Sequence, residues 1–296
     1  MARPIKLLSE REKLLLESAQ KLTYREVEGG KDLSIYFYLP KDLKEKIDRP
    51  VLLFFNSGGW DRGSVIQFAP HALYYVERGA VCGLVEYRNK ASHPDSSALE
   101  SIQDGLLAIR FTRHYSEKLC LDPSKVIAVG AGAGGNIAGA ATMKAHIPGE
   151  ESEFNLSSSQ PDAAVLISAI IDPEKGSYGR EQFSSSGAAR RASLFRYISN
   201  SNPPILMIHG TADRLVPFEM VSSFSEKMAR KKGRFELVEF EGRDQNFFNY
   251  NTDPASYEVA LSHIDRFLDH HGLLERIDDD DDDDGPRLIS WRESDY

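Results

Sequence analysis

The chain has 296 residues, of which 41% are hydrophobic and 27% are charged, and its formal net charge is −9. This composition is typical of a folded globular protein and excludes a fibrous or wholly disordered chain. Residues 278–296 hold nine acids and two arginines, so residues 1–277 carry a net charge of only −2. No basic stripe is present in this nearly neutral part, and we therefore exclude nucleic acid as a partner.

The sequence gives no indication of a membrane span, a signal peptide or a set of disulfide bonds. No stretch approaches the roughly 20 apolar residues of a membrane span, and the N-terminus lacks the long apolar core of a signal peptide. We therefore expect a cytoplasmic protein that does not bind membranes. The two cysteines, Cys82 and Cys120, have no spacing typical of a disulfide framework or a metal site, so we expect neither a metal nor another cofactor.

Periodicity along the chain predicts an α/β fold. An amphipathic helix at residues 1–22 precedes a hairpin of strands at 23–28 and 33–40, joined through Gly29 and Gly30. Near-continuous apolar runs then alternate with helical segments, which is typical of a parallel sheet covered on both faces. The predicted strands lie at 50–55, 80–87, 125–130, 162–169, 204–209 and 235–240, and the predicted helices at 97–118, 136–146, 217–231 and 254–270. We expect one domain, from residue 23 to residue 274.

Three segments do not fit this alternation. The stretches at 147–160 and 172–192 are predicted to be insertions that form the cap or rim of a site at the strand ends. Residues 275–296 form an acidic tail in which seven consecutive aspartates, at 278–284, repel one another and cannot pack. We interpret this run as a solvated linker; the alternatives are loose binding of divalent cations or docking to an unknown protein partner.

The order and spacing of three further segments are those of one enzyme family. They are FFNSGGWDRGS at 54–64, a stretch from VEYR at 85–88 to KVIAVGAGAGGN at 125–136, and PPILMIHGTADRLVPFE at 203–219 with LVEFEGRDQNFFN at 237–249. Together they resemble the carboxylesterase branch of the α/β-hydrolases, including the feruloyl-esterase, acetyl-xylan-esterase and hormone-sensitive-lipase types. The resemblance implies an α/β-hydrolase fold, with a mostly parallel sheet of about eight strands and helices on both faces, and ester hydrolysis through an acyl-enzyme.

The first segment resembles the oxyanion loop of that family, His-Gly-Gly-Gly-Trp. Glycines are needed there because backbone N–H groups must approach the substrate oxygen closely. Asn56 replaces the histidine and Ser57 the first glycine, whereas Gly58, Gly59 and Trp60 are retained. The resemblance assigns Ser57, Gly58, Gly59 and Trp60 to an oxyanion or ligand-binding site.

The second segment contains the position of the family's nucleophile. The nucleophile elbow normally reads Gly-x-Ser-x-Gly, but GAGAGG at 130–135 places Gly132 where the serine belongs. Ala133, the next residue, still offers its backbone N–H at the start of a helix. The charged residues Arg88, Asp104 and Arg110 are interpreted as structural, because charge-assisted hydrogen bonds can hold a loop to a helix.

The third segment contains the other two triad positions. Asp213 matches the triad acid, whereas Gln245 takes the place of the general-base histidine, with Asp244 and Asn246 beside it. An amide cannot accept and return a proton near neutral pH. The nucleophile and the base are therefore both absent.

GAGAGG also satisfies the dinucleotide fingerprint G-x-G-x-x-G. That fingerprint usually lies in the first βαβ unit, with an acid about 20 residues further on. The next predicted strand begins only near residue 162, and Asp172 follows far too late. Dinucleotide binding therefore remains a minor alternative.

Three functional hypotheses follow. The first is a pseudo-hydrolase that retains a pocket for a small ester- or carboxylate-bearing molecule. The second is an active ester hydrolase with unusual machinery, such as a water molecule activated by Asp213 or Asp244. The third is a scaffold whose partner binds the acidic tail or the N-terminal helix.

Overall fold

The computed structural model describes residues 10–41, 49–149, 154, 156–174 and 178–275. Its eight strands form one sheet in the order β1-β2-β4-β3-β5-β6-β7-β8. The first two pairings, β1 with β2 and β2 with β4, are antiparallel, and all the others are parallel. The strands are β1 (Gln20–Arg25), β2 (Leu33–Tyr38), β3 (Arg49–Phe55), β4 (Val81–Val85), β5 (Leu121–Ala131), β6 (Ala163–Ile167), β7 (Ile205–Gly210) and β8 (Phe235–Phe240).

Helices cover both faces of this sheet. One hydrophobic core lies beneath α3, α4 and α6, and a second lies beneath α2 and α7 on the opposite face. The described helices are α1 (Glu10–Glu17), α2 (Ala69–Glu77), α3 (Ala98–His114), α4 (Ala133–Thr142), α5 (Ser186–Ala192), α6 (Phe218–Arg230) and α7 (Pro254–His270). None of them is long and apolar enough to cross a membrane. The predicted α/β-hydrolase fold is confirmed.

The N-terminal helix predicted at residues 1–22 is wrong in its last part. Within the described residues α1 ends at Glu17, and Gln20 already pairs with Phe37 as the first residue of β1. Edge pairing with β2 and burial of Tyr24 decide the local conformation here, because tertiary contacts outweigh a short helical pattern. Helix α2 was not predicted, although Pro70 in its first turn is a helix-start signal.

The described parts of the segment at 147–160, which are residues 147–149, 154 and 156–160, lie on the side of the sheet opposite to the one predicted. It connects the end of α4 to the start of β6, and such a connection lies at the amino-terminal edge of a parallel sheet. Arg110 and Arg113 of α3 donate to the carbonyl groups of Ser157 and Ser158, and the N–H of Asp162 donates to the carbonyl oxygen of Val126 in the middle of β5. This segment is therefore not a rim of the site. The aspartate run at 278–284 lies outside the described residues.

Candidate active site

The turn between β5 and α4 retains the shape of a nucleophile elbow. Gly132 lies between the two elements with φ 52° and ψ −115°, a conformation that side chains rarely tolerate. Close packing also requires glycine at two nearby positions, 130 and 134. A Cβ on Gly134 would lie 2.0 Å from the carbonyl oxygen of Phe55, and a Cβ on Gly130 would lie 2.2 Å from the carbonyl oxygen of Gly134. The glycines of GAGAGG thus serve the packing of this turn.

The structure brings Gly132 and Ser57 together. A Cβ built on Gly132 would point at Ser57, 3.3 Å from its Cβ and 3.8 Å from its Cα. The nucleophile position and the altered position of the oxyanion loop are therefore direct neighbours, as their assignment to one site requires.

The oxyanion loop places Gly58, Gly59 and Trp60 at positive φ, with values of 131°, 62° and 61°. Within the described part of the chain, the backbone N–H groups of Gly58, Gly59 and Ala133 make no hydrogen bond. Free backbone donors are what an oxyanion site needs. Their assignment to ligand binding stays a prediction.

Asn56, in the position of the family's histidine, holds the loop locally. Its side-chain nitrogen donates to the carbonyl oxygen of Ser57 at 2.8 Å, and its own carbonyl oxygen accepts the hydroxyl of Tyr87 at 2.7 Å. Asn56 is buried, so these bonds are shielded from water.

Gln67 is a residue of this site that the sequence analysis missed. Its side-chain oxygen accepts the N–H of Ser57 at 2.7 Å, and its nitrogen donates to the side-chain oxygen of Asn249 at 3.0 Å. Asn249 in turn donates to the carbonyl oxygen of Asn246. Gln67 therefore ties the oxyanion loop to the turn after β8, where Gln245 lies.

We expect Gln67→Leu to loosen the oxyanion loop, because both amide hydrogen bonds are lost while the side-chain volume is nearly kept. The amide hydrogen of Ser57 should exchange with solvent several-fold faster, measured by hydrogen exchange with NMR or mass spectrometry. Gln103→Leu, at a distant surface position, is the control. Unchanged exchange at Ser57 would mean that other contacts hold the loop.

Trp60 is buried against the segment at 172–192 and exposes only 1% of its surface. Its ring packs edge-on against Phe183 at 5.2 Å, and Gly179 lies so close that a Cβ there would be 2.7 Å from the indole ring. The phenol of Tyr178 similarly lies against Gly59. This segment therefore covers the outer side of the oxyanion loop.

Asp213 lies in the loop after β7 and is 5% exposed. Its Oδ1 accepts the backbone N–H groups of Leu215 at 2.8 Å and Val216 at 3.0 Å, whereas its buried Oδ2 has no hydrogen-bond partner. His209 Nε2 lies 3.4 Å from Oδ2 but directs its hydrogen bond to the Val216 carbonyl at 2.9 Å. Burial lowers the pKa of His209, so this imidazole is neutral and contributes little charge to the contact.

Gln245 is half-buried in the turn after β8. That turn packs against the Asp213 loop, because the N–H of Ala212 donates to the carbonyl oxygen of Arg243 at 3.0 Å. Asp244 is exposed, and its carboxylate accepts the N–H of Asn246. The acid position and the base position thus lie on adjoining loops, but the base position holds an amide.

The comparisons with known proteins agree with this architecture. The BD-FAE family model matches residues 35–188. Esterase 2 of Thermogutta terrifontis, solved with bound butyrate, is 32% identical with a TM-score of 0.82 over 88% of this chain and 96% of that one. The same esterase phosphorylated by paraoxon is 33% identical with a TM-score of 0.80, covering 88% of this chain and 97% of that one.

Two curated proteins are also similar in sequence. Esterase LipC of Mycobacterium tuberculosis is 27% identical over 75% of this chain and 59% of its own length. A probable isoprenylcysteine alpha-carbonyl methylesterase of Arabidopsis thaliana is 24% identical over 70% of this chain and 47% of its own length. The chain thus spans about half the length of the curated relatives it matches.

Proposed function

The chain belongs to the BD-FAE family of carboxylesterase-type α/β-hydrolases, and from this premise we propose that it has lost ester hydrolysis and binds a small ester- or carboxylate-bearing molecule in the inherited site. The observation that carries the proposal is the elbow at Gly132, whose backbone has the conformation of a nucleophile turn but which has no side-chain atom to attack an ester. Loss of one triad member alone typically costs several orders of magnitude in rate.

The free Oδ2 atom of the triad acid supports the same proposal. A general-base histidine would donate its N–H to the triad acid, but here Asp213 Oδ2 is buried without a hydrogen-bond partner. Gln245, at the base position, makes no hydrogen bond to it within the described part of the chain. A serine at position 132 alone would therefore still lack a base.

The retained backbone donors support a binding role. The N–H groups of Gly58, Gly59 and Ala133 are free to donate to a carboxylate or carbonyl oxygen, and hydrogen bonds to a charged acceptor are stronger than those between neutral groups. The similar Thermogutta terrifontis esterase 2 holds butyrate. Butyrate is therefore the first probe for this chain.

We expect the wild-type chain to release p-nitrophenol from short-chain esters no faster than buffer does. Paraoxon should likewise leave its intact mass unchanged, because Gly132 offers no hydroxyl. Ester turnover that is abolished by Asp213→Asn would overturn the proposal. That outcome would favour the second candidate, an active hydrolase with unusual machinery. The relatives support this candidate in so far as they are named esterases.

Binding is tested separately by Ala133→Pro. Proline is tolerated at the first position of a helix and has no N–H, so this change removes the donor at the start of α4. We expect butyrate to bind at least about 10-fold more weakly, since a hydrogen bond to a charged group contributes about 1.5–3 kcal/mol. The measurement is an NMR titration with butyrate.

Ala133→Gly is the matched control, because it changes the same side chain but keeps the N–H. We expect it to bind butyrate as wild type does. Equal affinity for the proline and glycine variants would show that the Ala133 donor is not used.

A further inference from the structure

Two positions of the site have exchanged their residues relative to the family pattern. The oxyanion loop has Ser57 where the family has glycine, and the elbow has Gly132 where the family has serine. The two positions face each other: a Cβ on Gly132 would lie 3.3 Å from the Cβ of Ser57. That separation is tighter than nine in ten real Cβ contacts, so one of the two groups would have to move.

Ser57 is poorly placed to move. Its N–H is bound to Gln67 at 2.7 Å, and its carbonyl oxygen accepts the side chain of Asn56 at 2.8 Å. The following residue is also held, because the carbonyl oxygen of Gly58 accepts the N–H groups of Asp61 at 3.1 Å and Arg62 at 3.2 Å. The backbone on both sides of Ser57 is therefore held in place.

We propose that Ser57 is the residue that determines the chemistry of this site, because its side chain obstructs the space that a nucleophile at position 132 requires. Two changes then prevent nucleophilic catalysis. The first is the loss of the serine at position 132, and the second is the gain of the Ser57 side chain opposite it. A ligand bound in the site meets Ser57 instead of residue 132; this last consequence alone rests on the proposed function. A return to catalysis needs the reciprocal glycine at position 57.

The obstruction is tested by a thermodynamic cycle that needs neither ligand nor activity. Gly132→Ala is introduced into the wild type, into Ser57→Gly and into Ser57→Ala, and the loss in Tm is measured in each. Backbone strain at position 132 is common to all three backgrounds and cancels in the comparison. We expect the loss to be smaller by about 2 °C or more in the Ser57→Gly background, and unchanged in the Ser57→Ala background, which retains the Cβ.

Equal losses in the wild-type and Ser57→Gly backgrounds, including failure to fold in both, overturn the proposal. A loss relieved equally by alanine and glycine also overturns it, since the hydroxyl and not the Cβ would then be responsible. Ester turnover by the wild type would refute the proposed function but would leave the outcome of this cycle unaffected.

The chemical readout is phosphorylation by paraoxon, followed by intact mass. The variant with Gly132→Ser and Gln245→His is compared with the same protein carrying Ser57→Gly or Ser57→Ala in addition. We expect the glycine variant to react at least about 10-fold faster than the other two, because only it frees the space for the nucleophile. Equal rates, including no reaction in any variant, overturn the proposal.

Discussion

Replacing Asp104 by leucine is expected to lower the free energy of unfolding by about 3–5 kcal/mol, which is the usual cost of removing one partner of a buried ion pair. The Asp104 side chain is completely buried in α3 and accepts three bonds from Arg88: its backbone N–H at 2.9 Å, Nε at 2.9 Å and Nη2 at 2.8 Å. Arg25 Nε lies 2.9 Å from Oδ1 but makes no aligned hydrogen bond. Without the carboxylate, Arg88 keeps its bond to Glu100 at 2.8 Å, but its backbone N–H and Nε lose their acceptor and Arg25 loses its counter-charge.

Urea unfolding followed by circular dichroism measures this loss. Glu226→Gln is the matched control, because Glu226 forms an exposed pair with Arg230 at 3.6 Å and such pairs contribute little. We expect the control to change the free energy of unfolding by less than about 0.5 kcal/mol. A cost below about 1 kcal/mol for Asp104→Leu would show that water replaces the carboxylate, and the structural role assigned to this residue would be wrong.

The sequence predicted the local structure wherever a backbone conformation demands a particular residue. Only glycine fits the turns around Gly130 and Gly134, so the elbow is recognisable although its serine is missing. Arg88 and Asp104 are predicted to hold a loop to a helix through charge-assisted hydrogen bonds, and Arg88 after β4 does bind Asp104 of α3. Local backbone requirements and charge pairing are both visible along the chain.

Contacts between distant segments were not predictable in this way. Gln67 is an ordinary glutamine in the sequence, and its role depends on Ser57 and Asn249, which are 10 residues and 182 residues away. The contact between Ser57 and position 132 likewise depends on the parallel pairing of β3 with β5, which brings the ends of the two strands together. The segment at 147–160 has the polar composition of a rim, but its position between a helix and the next strand sets it at the amino-terminal edge of the sheet.

His71 gives the second large effect, a dependence of stability on pH. This residue of α2 is 1% exposed, its ring packs against Phe68, Phe248 and Tyr257, and neither ring nitrogen has a hydrogen-bond partner. Burial lowers its pKa from 6.5 to about 3. The folded chain therefore holds a neutral imidazole over a pH range in which the unfolded chain holds a charged one.

The sign of the effect follows from this difference. Between about pH 6.5 and pH 3 the unfolded state binds a proton that the folded state does not, so the free energy of unfolding falls as the pH falls. The contribution of His71 is fully present above about pH 6.5. It is lost at up to about 1.4 kcal/mol per pH unit, or on the order of 4–5 kcal/mol by pH 3.

His71→Phe removes this titration and keeps an aromatic ring in the cluster. Because no hydrogen bond is lost, we expect the stability at pH 7.5 to be unchanged or higher, and the variant to exceed wild type by about 2.5–3 kcal/mol more at pH 4.5 than at pH 7.5. Urea unfolding at both pH values measures the difference. Subtracting the free energies of unfolding of the two proteins cancels the contribution of the acidic groups they share.

His71→Gln separates the effect of titration from the effect of polarity. It should lose the same pH dependence but be less stable at both pH values, since its amide stays buried without partners. If all three proteins lose stability in parallel as the pH falls, then His71 is protonated in the folded state, and water must reach the cluster between α2 and α7.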